Sequence, residues 1–339
     1  MEKHNVIFTG KAKAVTKLYQ HPQGDSTNAR GENFLRLPRI KVIGENGTVL
    51  RVPRISGNSF RGILRRMTAH VIFDKFLAQG KKIDLKSVHW MVSGASRNAT
   101  NKLPDEITPP VILKEVMEEG NIHSGLFGGG LGLPGSIAVH DLVPKVSELA
   151  ALGLMYCQNE QPEELPALSD VTGVYEWVRK DLNIHQQDTL GYVAHEDLEA
   201  YAADLVKNRK DRKKAKKEKE KYDGDANVQQ LGKVEYLAEN LDLFASFEMM
   251  HVTPAQVGLM IAGLERFAND PFIGAMRRWG WGKIDLNLKD QHGRSVVVAL
   301  GQFEQTGFDA ELDAFEEWLD TIETDRLDPL EWLTKNFGK

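Results

Sequence analysis

Cysteine is almost absent from this chain, with Cys157 the single one in 339 residues. One thiol excludes an internal disulfide and a multi-cysteine zinc site, and it fits a reducing cytoplasm. No apolar run approaches the roughly 20 residues that cross a bilayer. The opening MEKHNVIFTG also lacks the apolar block of a secretory leader. A cytoplasmic location without a membrane partner is therefore expected. The Walker, HExxH and GxSxG sequences are missing as well, and neither a cofactor nor a metal is expected. One further absence is local. The chain carries 48 acids against 43 Lys and Arg, a formal charge of −5, yet no Asp or Glu falls between Asn46 and Phe73. A net negative chain does not bind nucleic acid with its whole surface, but it permits a basic groove.

That acid-free stretch is the centre of the sequence. Val49 to Ile55 is apolar and β-branched enough for a strand, with Pro53 placing it near an edge. Ser56-Gly57-Asn58-Ser59 forms a turn, and Asn58 or Ser59 is the expected helix N-cap. Phe60, Ile63, Leu64, Met67 and Val71 then make one apolar face of a helix running to about Ala78. Arg51, Arg54, Arg61, Arg65 and Arg66 surround the helix start. Free N–H groups and arginines together suit a phosphate backbone, while a solvated basic face is the plainer alternative.

The rest of the chain reads in order. Residues 5–18 form an opening strand, and 19–33 a long polar loop that holds Asp25. A lone loop Asp is usually a turn residue; it could also help hold a metal for phosphodiester cleavage. Phe34 to Ile43 reads as a strand carrying Arg36, Arg39 and Lys41. Gly125 to Ser136 holds six glycines in twelve residues. Its Gly130-x-Gly132-x-x-Gly135 spelling is not a dinucleotide site, because Pro134 interrupts it and a strand follows instead of a helix. A loop bringing bare backbone close to something is the reading, against a plain surface loop. Residues 145–235 look like a mostly helical insertion, in which Lys207 to Lys221 sets ten Lys or Arg against three acids. His140-Asp141 lies in a strand-like run and is read as structural, and His185 and His195 as surface residues. After a strand at 240–251, Thr253 caps a helix with Pro254 at its first position. Pro271 to Asp285 is a glycine-rich loop feeding a strand, with Arg277, Arg278, Trp279, Trp281 and Lys283. Arginines suit phosphates and the rings suit stacked bases, although two alternating tryptophans can equally pack on one sheet face. Val296 to Leu300 is a last strand. The tail from Asp309 has a helical stripe of Leu312, Phe315, Leu319 and Ile322 under an acidic surface.

Three of these stretches, in this order, resemble a known family. SGNSFRGILRR (56–66) resembles the strand-turn-helix signature of the repeat-associated RAMP superfamily. LFGGG with GSIAVHDLVP (126–144) resembles its Leu-Phe-Gly loop and the strand after it. IGAMRRWGWGKI (273–284) resembles the glycine-rich loop after its second helix. Length and spacing are most similar to the backbone subunit of CRISPR effector complexes, and the Arg and Trp content to the type IV, plasmid-associated version.

The resemblance implies an α+β fold, a modified RRM or ferredoxin-like palm of β-α-β-β-α-β type with finger and thumb insertions. The implied layout is a palm of 1–83 and 236–305 with 137–144 as a palm strand. A finger-like glycine-rich insertion covers 84–136, a thumb-like insertion 145–235, and an acidic helix 306–339. It further implies copies stacked head to tail along a CRISPR guide RNA, presenting the guide to complementary nucleic acid, DNA ahead of RNA, beside other subunits. The residues placed at the RNA are Arg54, Ser56, Asn58, Ser59, Arg61 and Arg65, then Gly128, Gly129 and Gly130, then Arg277, Arg278, Trp279, Trp281 and Lys283. In type III relatives an Asp of the first loop cuts target RNA. Asp25 has a comparable position in a loop of different sequence, so catalysis is not expected, and Asp25-dependent cleavage stays the alternative. A noncatalytic protein-interaction module is the other.

Overall fold

The structure is a computed structural model that describes residues 3–21, 34–44, 47–94, 121–129, 134–157, 160–180, 229–324 and 327. Asp25, Gly130, His185, His195 and the Lys207–Lys221 run lie outside these residues. The first half of the chain runs β1 (His4–Ala14), β2 (Phe34–Leu35), β3 (Arg39–Ile43), β4 (Val49–Pro53), α1 (Gly57–Ala78), α2 (Leu85–Ser93) and α3 (Ile122–Phe127). Next come β5 (Ile137–Val139), β6 (Val143–Pro144), α4 (Ser147–Ala151), β7 (Thr172–Lys180), β8 (Gln229–Leu237) and β9 (Asp242–Val252). The chain closes with α5 (Pro254–Ala268), β10 (Ile284–Lys289), β11 (Ser295–Ala299), β12 (Gln302–Thr306) and α6 (Asp309–Thr321).

The central sheet is antiparallel and seven-stranded, in the order β12-β11-β10-β1-β9-β5, with β6 also pairing with β9. Taken along the chain, β1, α1, β5 with β6, β9, α5 and β10 are a β-α-β-β-α-β unit. Its strands lie in the order fourth, first, third, second, which is the ferredoxin-like arrangement. The α+β palm expected from the sequence is therefore the fold. Two hairpins decorate it: β3–β4 between β1 and α1, and the β11–β12 extension beyond β10.

Alternation decides which way the sheet faces. Along β1, Val6, Phe8, Ala12 and Ala14 are buried, while Thr9, Lys11 and Lys13 point to the other side. The helices cover the apolar side. On α1 the buried stripe is Phe60, Leu64, Thr68, Ile72 and Phe76, a strict i+4 row. Ile63, Met67 and Val71, expected in the stripe, are half-buried beside it. Phe60 contacts Phe247 of β9 and Phe267 of α5, each with ring centroids 5.4 Å apart. One side chain thus joins both helices to the sheet, and each such buried side chain contributes about 1.5–3 kcal/mol. α5 begins with the expected cap. Thr253 Oγ1 accepts from Gln256 N–H at 3.3 Å, and Gln256 Oε1 accepts from Thr253 N–H at 2.9 Å. Gly258 lets α6 close on α5, since a Cβ there would sit 2.0 Å from the Glu311 carbonyl oxygen. Phe315 and Leu319 are the buried face of α6, as its stripe suggests.

Two sequence expectations change. Phe34–Ile43 is not one strand: the chain leaves extended pairing around Pro38 and separates β2 from β3. In 145–235, the described residues hold the short α4, two 3-10 turns and strands β7 and β8. Whether the region is mostly helical lies outside the described residues.

Contacts divide the chain into two units. The first is 1–25, 36–173 and 235–339, and contains the strands and helices of the central sheet. The second is 26–35 and 174–234. Within it β2 runs parallel to β8, Phe34 beside Lys233 and Leu35 beside Val234, and Lys233 pairs with Glu176 at 2.9 Å.

Candidate nucleic-acid interface

The start of α1 is built by residues far away in sequence. Ile55 exchanges two backbone hydrogen bonds with Leu142, at 3.0 and 2.9 Å, which carries the 139–142 segment against the helix start. Gly57 is required there, because a Cβ would lie 2.0 Å from the Val139 carbonyl oxygen. Asp141 Oδ1 accepts from Gly57 N–H at 2.9 Å and from Arg54 Nη1 at 2.6 Å. The residue at the N-cap is Ser56, not Asn58 or Ser59, and its side chain makes no cap bond. Gln20 supplies the missing polar partners: its Oε1 accepts from Ser56 N–H, and its Nε2 donates to Ser59 Oγ at 2.8 Å. The expected acid-free helix start thus has a carboxylate on it. Asp141 neutralises Arg54 and takes the N–H of Gly57, which leaves Asn58 as the exposed polar residue of the first turn.

Arg61 and Arg65 turn inward. Both donate to the carbonyl oxygen of Phe127 at the C-terminal end of α3; Arg65 also donates to Gly128 and Arg61 Nε to Ile137 at 3.2 Å. Cations at a helix C-terminus are favourable. Both guanidinium groups lie over the Phe127 ring, at 5.8 and 5.6 Å. Arg65 is 8% exposed, and burial with Arg61 nearby brings its pKa down to about 10. Burial also lowers that of Arg61. In this fold Arg65 is a buried prop and Arg61 a half-buried one, both bonded to the end of α3.

The glycine loop serves the same packing. A Cβ at Gly135 would meet Phe127 C at 2.6 Å and Arg61 Nη2 at 2.7 Å, and one at Gly129 would meet the Trp90 ring at 2.4 Å. Gly94, left-handed with φ +72°, ends α2 where a Cβ would strike Arg65 Nη1. Among the described residues of the loop, the bare backbone approaches the protein's own Trp90, Arg61 and Arg65. Gly128 closes α3 with φ +67°. His123, which nothing in the sequence singles out, is buried beside them with Nε2 3.0 Å from the Arg65 carbonyl oxygen. Burial pushes its pKa down to about 3.

The second arginine cluster faces outward. Residues 271–283 turn through Gly274, Met276, Gly280 and Gly282, all with positive φ, around a single 3-10 turn at Arg277–Trp279. Arg277 pairs with Asp270 and lies over the Phe272 ring at 5.0 Å, with its side chain still 61% exposed. Arg278 is exposed, and Trp279 is 46% exposed. Trp281 is not a free stacking surface. It is 7% exposed, packed on Tyr236 at 5.3 Å and edge-on to Trp279 at 5.9 Å, with Lys17 above it. Lys283 holds the loop with its backbone, its N–H donating to Thr16 Oγ1 at 3.0 Å.

Two consecutive residues connect the clusters. The Tyr19 carbonyl accepts from Ala275 N–H at 2.7 Å, and the Gln20 side chain holds Ser56 and Ser59. Gly274 permits this approach, since a Cβ there would be 2.2 Å from the Tyr19 carbonyl oxygen. Exposed on the two clusters so joined are Asn58 on one and Arg277, Arg278 and Trp279 on the other. Gln20 carries no sequence pattern of its own and Asp141 reads only as structural, within the GSIAVHDLVP strand; the tertiary fold shows what they do. Among the described residues no three of His, Cys, Asp and Glu gather as a metal site, and no helix is long and apolar enough to cross a membrane.

No family model matches the chain, and no curated protein does. Among solved structures it is similar to a chain of one described as a Type IV-B CRISPR Complex. That chain is 15% identical with a TM-score of 0.45, and the likeness covers 83% of this chain and 88% of that one.

Proposed function

We propose that this protein is a noncatalytic backbone subunit of a CRISPR effector complex of the type IV kind. In this reading it binds guide RNA, and copies assemble head to tail along it. The support is the order of three motifs, SGNSFRGILRR, LFGGG with GSIAVHDLVP and IGAMRRWGWGKI, on a palm of the expected strand order. The observation that carries the reading is the Tyr19–Gln20 join. It brings the α1 start and the 271–283 loop to either side of one short segment. Arg278 and Arg277 offer phosphate contacts there, Trp279 a face for a base, and Asn58 a neutral hydrogen-bonding group. Arg61 and Arg65 act behind this surface by fixing the glycine loop.

The test is to purify the full chain from cells carrying its locus and sequence the nucleic acid that comes with it. CRISPR repeat-derived RNA is expected, and its amount should collapse in an Arg278→Ala, Trp279→Ala double variant of unchanged thermal stability. Protein free of RNA, or RNA of random origin untouched by those changes, overturns the proposal.

A further inference from the structure

The helices cover one side of the palm sheet, and the register shows what stands on the other. Lys289, Thr9 and Ser246 lie opposite one another across β10, β1 and β9, and so do Asn287, Lys11 and Phe244 in the next row. The segment after β6 folds over the β9 half of this face. Tyr156 meets Phe244 edge to face at 5.6 Å and 83°, and Met155 stands beside it, 53% exposed. Between them and β10 is an open cavity of about 500 Å³, in the range of small-molecule sites.

In a chain of net charge −5, the cavity has three lysines, Lys11, Lys145 and Lys289, and no acid among the described residues of its wall. Lys11 pairs with Asp242 at 2.8 Å and Lys145 with Glu160 at 2.6 Å, so these two ammonium groups are held in place and partly neutralised. Lys289 forms no ion pair among the described residues. Asn287 and Thr9 add neutral hydrogen-bonding groups, and Tyr156 and Phe244 an aromatic wall. A lysine without an ion pair among the described residues, two paired lysines, a ring and an amide around one cavity are groups that suit a nucleotide: phosphate at the Lys289 ammonium, base on the aromatic wall, base edge at the amide.

We infer that this face of the sheet holds a second site, which takes one nucleotide unit, either a free mononucleotide or a single unpaired residue of a strand. It shares none of its lining with the Asn58, Arg278 and Trp279 surface, and so does not depend on that surface binding RNA.

The test uses the full chain stripped of nucleic acid, photocrosslinked in separate arms to 4-thiouridine monophosphate and to a short RNA carrying one 4-thiouridine. Peptide mapping by mass spectrometry should find the adduct on Tyr156, Met155 or Phe244. A mononucleotide adduct there identifies a free nucleotide as ligand, and an adduct from the RNA arm alone identifies a strand residue. Lys289→Glu, on an exposed strand position, should weaken binding by about tenfold with unchanged thermal stability, whereas Arg278→Ala should leave the adduct intact. No adduct in 145–160 or 242–250 in either arm, or binding indifferent to Lys289→Glu, overturns the inference. Loss of guide RNA in the Arg278 variant with no adduct at Tyr156 removes this site and leaves the proposed function standing; the converse pattern does the reverse.

Discussion

Gln20 reaches Ser59 across 39 positions of chain, donating from Nε2 to Oγ at 2.8 Å while its Oε1 takes the N–H of Ser56. A side chain before the long first loop thereby finishes the helix that follows the β3–β4 hairpin. Gln20→Ala leaves the buried Ser56 N–H without an acceptor, which costs about 1–3 kcal/mol. Urea unfolding should register that loss. Copurified RNA should fall in the same variant, because the Tyr19–Gln20 segment also positions the 271–283 loop. Gln20→Glu keeps an acceptor and places negative charge at a helix N-terminus, so its stability loss should be the smaller of the two.

Asp141 sets how much positive charge the α1 start presents. Asp141→Ala removes the acceptor from Gly57 N–H and the partner from Arg54. A lost cap costs about 1 kcal/mol. The freed Arg54 adds one cation near the interface, so RNA binding should become more salt-dependent. The slope of log K against log salt should steepen by about 0.7 for a single strand. Filter binding over a salt series measures it, and an unchanged slope would show that Arg54 stays clear of the RNA.

Variants at Arg65 and Arg278 should separate folding from the proposed RNA binding. Arg65→Met takes a buried charged donor from the carbonyls of Phe127 and Gly128, and stability should drop by about 2–3 kcal/mol. Its RNA loss should follow that instability and recover on cooling. Arg278→Ala touches only surface and should change stability by less than about 0.5 kcal/mol while lowering RNA content at every temperature. If both variants behave alike in calorimetry and in RNA content, the division between prop and contact is wrong.

Local pattern was enough for much of this fold. The β1 alternation, the α1 span ending at Ala78 and the Thr253 capping box all follow from residues within one turn or one strand of each other. So does the feeding of β10 by a glycine loop. The interface was less legible, because its chemistry depends on partners far off in sequence. The stretch from Asn46 to Phe73 contains no acid, yet Asp141 arrives from 84 residues away and Gln20 from the other side. Arg61 and Arg65 read as surface charges until α3 presents its carbonyl ends to them. Trp279 and Trp281 alternate, and burial alone tells the exposed ring from the packed one. A charge run shows how many cations are present. Which of them are spent internally depends on where the chain returns.

His123 gives the protein an acid-sensitive core. In the fold its pKa is pushed down to about 3, first by burial, with the Arg65 charge also opposing protonation; its ordinary value is 6.5. Above pH 6.5 the ring is neutral in both the folded and the unfolded chain and adds no pH dependence. Below it, the unfolded chain takes up a proton that the folded chain refuses, so stability falls as pH drops from 6.5 towards 3. The slope approaches about 1.4 kcal/mol per unit, or about 2 kcal/mol lost by pH 5. His123→Gln keeps an amide that can donate to the Arg65 carbonyl and removes the titration. Urea midpoints measured from pH 7 to pH 4.5 should therefore fall less steeply in the variant, by close to one proton. Parallel curves would falsify the placement of a neutral imidazole behind Arg65, and with it the rigid support on which the glycine loop rests.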